Sequence, residues 1–135
     1  MIVVDNSVLV AFWLPGESAE LAESAKARDG VWAAPVLWRA EFRNVLAGYV
    51  RKKRLTAAEA NAAYLNAQED LGPQEYTVPT ERILQLVAAT DCPAYDCEYV
   101  ALARDLGVPL VTTDQQILRE FPKFAVSLER FAKQA

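Results

Sequence analysis

Histidine is absent from the 135 residues. That removes every hydrolytic chemistry run by an imidazole: Ser-His-Asp acyl transfer, Cys-His catalysis and His-paired ribonuclease chemistry. Cysteine occurs twice, as Cys92 and Cys97. Their separation is not the C-x-x-C of zinc or redox sites, so neither a structural metal nor a disulfide is expected, and a reducing compartment leaves both as thiols. No apolar run approaches the roughly 20 residues that cross a bilayer, and Asp5 and Asn6 interrupt the amino end too early for a signal-peptide core. The expectation is a cytoplasmic chain without a membrane segment. Positive charge is in short supply: 14 Lys and Arg face 18 Asp and Glu, for a net charge of −4. Global charge therefore does not draw nucleic acid, and any phosphate contact must be local. Repeats, linkers and low-complexity stretches are also missing, so residues 1–135 read as one domain.

What the chain does have is 53% hydrophobic residues, enough for one core that buries about two thirds of the unfolded surface without disulfides. The pattern predicts a strand over residues 2–4, a helix over 7–14 halted by Pro15-Gly16, and an amphipathic surface helix over 17–28. A strand follows over 31–33, then a long helix with Pro35 in its first turn, running to about Lys53. Thr56-Ala57-Ala58-Glu59 matches a capping box, which predicts a helix to about Leu71 ended by Gly72-Pro73. The remaining segments read as a strand over 75–78, a helix over 79–89, a helix capped by Asp96 and ending near Gly107, a buried strand over 109–113, a helix over 115–121 and a strand over 125–128. Repeated β-then-α alternation predicts an α/β fold, with a short, mostly parallel central sheet flanked by helices on both faces.

Four acids stand out on this frame. Asp5 and Asp114 each fall where a predicted strand ends, the edge at which ligands sit in open α/β sheets. Taken alone, each also reads as a helix cap, because Asp before a helix accepts backbone N–H bonds. Glu41 is more telling. Its helical neighbours are Leu37, Trp38, Asn44 and Val45, whereas Arg39 and Arg43 project elsewhere and cannot pair with it inside the helix. An unpaired carboxylate on an apolar face must be compensated from outside its helix. Asp96 repeats the pattern with Tyr99 and Val100, although its position also suits a cap. If the four acids converge, their ionised forms require positive charge between them, and an all-oxygen cluster suits Mg²⁺ or Mn²⁺. With no histidine, a water activated by such an ion is the available nucleophile for phosphodiester hydrolysis.

The run Val4-Asp5-Asn6-Ser7-Val8-Leu9-Val10 resembles the opening strand and turn of PIN domains. Pro35 to Leu46 resembles their metal-site helix, with Glu41 and Asn44 at matching positions. Tyr95 to Ala103 is similar to the third-acid block and Leu110-Val111-Thr112-Thr113-Asp114 to the fourth. The resemblance spans essentially the whole chain. It implies a VapC-like endoribonuclease toxin that cleaves RNA with Mg²⁺ or Mn²⁺, is silenced by a small antitoxin protein and pairs as a homodimer. It further implies that Asp5, Glu41, Asp96 and Asp114 are metal-site and catalytic acids supported by Asn44 and Thr112. Asn6 departs from the Thr often found after the first acid, and Cys97 stands where Ala is commoner; neither removes a carboxylate.

Arg39, Arg43, Arg51, Lys52, Lys53 and Arg54 are the candidates for RNA contact, set against the plainer reading of a solvated helix end that complements the helix dipole. Trp13, Trp32 and Trp38 could stack on bases, but aromatics at helical and strand spacing belong to the core. A different class of function is a PIN-like protein-binding module without nuclease turnover, which the apolar helices and the acidic balance motivate. A receiver domain or a haloacid-dehalogenase-like phosphatase also places Asp at the end of strand one. The phosphatase wants a second Asp where Ser7 stands, and the receiver wants a Lys near Thr112-Thr113-Asp114.

Overall fold

Ile2, Val3 and Val4 form strand β1 (Ile2–Val4), and all three are buried. Successive strand residues point to opposite faces, so this burial requires cover on both sides of the sheet. In the computed structural model, which describes residues 1–134, β1 lies at the centre of a five-stranded sheet. On one side it pairs with β2 (Trp32–Pro35) through Ile2 and Trp32, and β2 pairs with β3 (Glu75–Tyr76). On the other it pairs with β4 (Leu110–Thr112) through Val3 and Leu110, and β4 pairs with β5 (Ala125–Ser127). The order is β3-β2-β1-β4-β5 and every pairing is parallel. The chain thus works outward from β1 to one edge, then crosses to β4. The point between β1 and β4 is a topological switch, where the carboxyl ends of the strands open a crevice.

Helix α1 (Asn6–Trp13) packs on β1 and β4, with α2 (Ala19–Arg28), α3 (Trp38–Arg51) and α4 (Ala57–Leu71) against it. Helix α6 (Ala94–Leu106) packs across β1, β2 and β4, backed by α5 (Thr80–Ala89). The short helices α7 (Gln115–Glu120) and α8 (Leu128–Lys133) pack on β5. On α3, Trp38, Phe42 and Leu46 recur every four residues and are buried, a stripe that fixes the rotation of the helix and hence the direction of Glu41. Trp32 and Trp38 are core residues, while Trp13 is partly buried and packs edge-to-face with Phe12. Cys92 and Cys97 are buried free thiols. Among the described residues no helix is long and apolar enough to cross a membrane.

The expected α/β order holds, with differences at element ends. Pro35 ends β2 instead of opening a helix, because the ladder continues past it: Val36 N donates to the Tyr76 carbonyl at 3.0 Å. Asp96 is not a cap. Helix α6 begins at Ala94 behind Pro93, whose ring fixes a φ suited to helix entry, so Asp96 falls in the first turn. The strand expected over 125–128 stops at Ser127, whose hydroxyl accepts from Arg130 N and starts α8, a helix the pattern did not predict. The capping box at Thr56 and Glu59 is present in both its bonds, and Gly107 closes α6 in the left-handed conformation.

Candidate functional site

Where β1 ends, Asp5 takes an extended backbone conformation and becomes the N-cap of α1, its Oδ1 accepting from Val8 N at 3.3 Å. Ser7 Oγ donates to the same oxygen at 2.5 Å, and Thr112 Oγ1 donates to Oδ2 at 2.5 Å. Both hydroxyls are held from the end of β4. Thr113 N donates to Ser7 Oγ at 3.1 Å and Asp114 N donates to Thr112 Oγ1 at 2.9 Å. Two backbone N–H groups at the end of one central strand therefore reach the carboxylate at the end of the other through two side-chain hydroxyls. This lattice ties the two lips of the switch-point crevice together. Asp114 in turn caps α7, accepting from Ile117 N at 2.9 Å.

Two further acids arrive from helices. Glu41 on α3 accepts from the phenol of Tyr99 on α6 at 2.6 Å, which is the outside compensation that its apolar neighbours demanded. Asp96 on α6 accepts no hydrogen bond among the described residues. Asp5, Glu41, Asp96 and Asp114 line one cleft of about 260 Å³, together with Asn6, Ser7, Tyr99 and Thr113. Among the described residues no basic side chain stands in that lining.

The electrostatics follow from this arrangement. Burial pushes the Asp5 carboxyl up to about 6 against the pull of its hydrogen bonds, and the charge of Asp114 adds to the rise. Asp96 is also pushed up to about 6, first by burial and then by Asp114, Asp5 and Glu41. It senses all three other acids, so the charges do converge. Tyr99 is driven far above the ordinary phenol range by burial and by Glu41, which keeps its proton in place to donate.

The donor set fits a hard divalent cation in kind: carboxylate oxygens, plus the Asn6 Oδ1, which is buried without a hydrogen-bond partner among the described residues. It is not tightly preassembled, since among the described residues no group of three or more acids or thiols is drawn together closely enough to form a ready cation cage. The model of the PIN domain family matches residues 2–123. The chain belongs to the PIN domain family. It is 30% identical over 124 residues to Ribonuclease VapC3 of Pyrobaculum aerophilum, covering 90% of this chain and 95% of that protein. Among solved structures it is similar to PAE2754 from Pyrobaculum aerophilum, with a TM-score of 0.75 and 25% identity, covering 98% of this chain and 97% of the other.

In this PIN domain the supporting residues separate. Thr112 is fully buried in the hydroxyl lattice, whereas Asn44 is exposed and is not brought to the cleft. Of the six basic candidates, Arg39 is committed elsewhere: its guanidinium grips Glu75 through two bonds of 2.7 Å, beside the Trp38 indole, which donates to the same carboxylate. Arg43 lies against the Tyr64 ring and Arg54 against the Tyr49 ring, while Arg51, Lys52 and Lys53 are exposed. Sequence reasoning missed Ser7 and Tyr99 as partners of the acids. Ser7 had a usable signal, a hydroxyl two residues after a strand-end Asp; Tyr99 had none, because it meets Glu41 from a different helix.

Proposed function

We propose that this PIN domain is a metal-dependent endoribonuclease in which Asp5, Glu41, Asp96 and Asp114 hold Mg²⁺ or Mn²⁺ and RNA is the substrate. The observation that carries the reading is the convergence of four acids from four separate elements on one cleft without a basic side chain. The name of the relative, Ribonuclease VapC3, supports the same activity. When bound, the divalent ion supplies Lewis acidity, activating a water and offsetting charge on the phosphate oxygens. The chain's own residues supply the frame. Ser7 and Thr112 hold both Asp5 oxygens, the α7 N-terminus holds Asp114, and Tyr99 leaves one Glu41 oxygen outside its hydrogen bond.

The same relative supports a role as the toxin of a toxin–antitoxin pair, with a small antitoxin protein as partner; a homodimer and a cytoplasmic setting belong to that proposal. The test is RNA incubated with purified protein and Mn²⁺ or Mg²⁺ beside Asp5→Ala. Cleavage by the wild type alone, lost in excess chelator, is expected; equal cleavage by both proteins, or cleavage that survives the chelator, would defeat the reading.

A second reading is a PIN-domain binding module without turnover. The apolar helix faces and the net charge of −4 motivate it. It expects a stable complex with a protein partner and no RNA cleavage under any divalent ion, so metal-dependent turnover rejects it.

A further inference from the structure

A second depression adjoins the acid cleft and shares Ser7 and Thr113 with it. Its volume is about 200 Å³, below the ~300–1,000 Å³ of sites that take drug-sized ligands, so it has room for one ring system and little more. Val10, Ala11 and Leu14 of the α1 segment make an apolar wall, and Tyr49 near the end of α3 stands across from it. The Tyr49 hydroxyl donates to the Pro15 carbonyl at 3.4 Å, which braces the ring against the loop after α1.

The basic run returns to this place by a chain reversal. Lys53 adopts a φ of 58°, and the N–H groups of Arg54 and Leu55 both reach back to the Tyr49 carbonyl, at 2.9 and 3.4 Å. The Arg54 guanidinium then lies 5.4 Å from the centre of the Tyr49 ring. The groove thus pairs an apolar wall with an aromatic ring backed by a cation, in a chain of net charge −4. Planar, neutral and polar-edged ligands suit such walls, because an aromatic face stacks on bases whatever their identity. A phosphate does not suit them, since Glu17 lines the same groove.

We infer that this groove binds one unpaired nucleobase of the RNA, on the nucleotide adjoining the phosphodiester held in the acid cleft. The inference rests on the nuclease reading above. It assigns Tyr49 to base binding, with Arg54 behind its ring as a positioning residue, and leaves the four acids to the chemistry; the base that enters must be free to turn out of a stack.

The experiment uses single-stranded RNA oligonucleotides of one sequence, each with a single abasic nucleotide at a different position around the cleavage point. Tested with Mn²⁺, the wild type is expected to lose about 10-fold or more in kcat/KM at one flanking position, the scale of a lost base contact. Tyr49→Ala should cleave base-bearing and abasic RNA alike. Gly16→Leu provides a second variant that does not depend on removing the tyrosine, because Gly16 lines the groove and a Cβ there meets nothing within 4 Å among the described residues, so the added side chain starts in open space. It should erase the same discrimination. Cleavage by the wild type that ignores every flanking base, or discrimination that survives in both variants, overturns the subsite and leaves the nuclease intact. A wild type as silent as Asp5→Ala on every oligonucleotide overturns both together.

Discussion

Asp5 and Asp96 both have carboxyls pushed up to about 6, but their surroundings differ. Asp5 is buried inside a hydroxyl and N–H lattice, whereas Asp96 accepts nothing among the described residues and is raised by burial and three neighbouring acids. A native carboxyl raised above its unfolded value binds its proton more tightly in the folded state, so the stability it contributes is present at low pH and lost as pH climbs through about 6. In chelator, the melting temperature should therefore fall between about pH 4 and pH 7, and saturating Mn²⁺ should flatten the fall; a metal-free curve that rises over that range would contradict the convergence of charge. At pH 7 in chelator, Asp96→Asn should melt no lower than wild type, because repulsion is relieved without loss of a bond. Asp5→Asn should melt lower, by roughly 1–3 kcal/mol in a denaturant titration, because an amide NH₂ cannot accept from both Ser7 and Thr112. Tyr99→Phe removes one hydroxyl from Glu41 and should weaken Mn²⁺ uptake roughly 10-fold in a calorimetric titration, as loss of a ligand's orienting partner does; unchanged uptake would make the bond incidental. At this scale Glu41 was legible because a carboxylate among Leu37, Trp38 and Val45 has no local excuse. Tyr99 was not, since its partner lies 58 positions away in the chain and only the packing of α6 beside α3 brings them together.

Element boundaries were legible where the chain carries its own punctuation. Thr56 with Glu59, Gly72 and Gly107 mark helix ends by side-chain bonds or by left-handed backbone, and all three signals are local. Pro35 misled because proline suits both the first turn of a helix and the end of a strand, and the choice is made by Tyr76 on another strand. Helix α8 was hidden by its shortness, and it holds its place by Leu128 and Phe131 in the core. The start of α3 is pinned by Trp38 and Arg39 on Glu75 of β3, and Arg39 holds that carboxyl below its ordinary range. Since α3 carries both Glu41 and Tyr49, this clamp aims the acid cleft and the adjoining groove together. Thr56→Ala serves as a control on an element remote from the cleft: it should lower unfolding free energy by about 1 kcal/mol in a denaturant titration without changing RNA cleavage. Equal loss of cleavage would mean that general loosening, not the acids, governs activity.

At the scale of the whole molecule, the parallel order β3-β2-β1-β4-β5 makes β1 and β4 neighbours at the switch point and sets Asp5 and Asp114 on its two lips. The alternation of strands and helices made this class of fold legible, as did the two strand-end acids. It did not show which helices would deliver Glu41 and Asp96, because α3 and α6 reach the crevice by packing that depends on Trp38, Phe42 and Tyr99 in the core. An acidic chain that lines one cleft with four carboxylates and, among the described residues, no basic side chain holds electrostatic free energy that a small divalent ion can release. Titration calorimetry of Mn²⁺ into the metal-free protein at pH 7, run beside Asp96→Asn, tests this most directly. Saturable uptake by the wild type, at least about 10-fold weaker in the variant, is the predicted result; no uptake, or the same affinity in both proteins, would contradict the account.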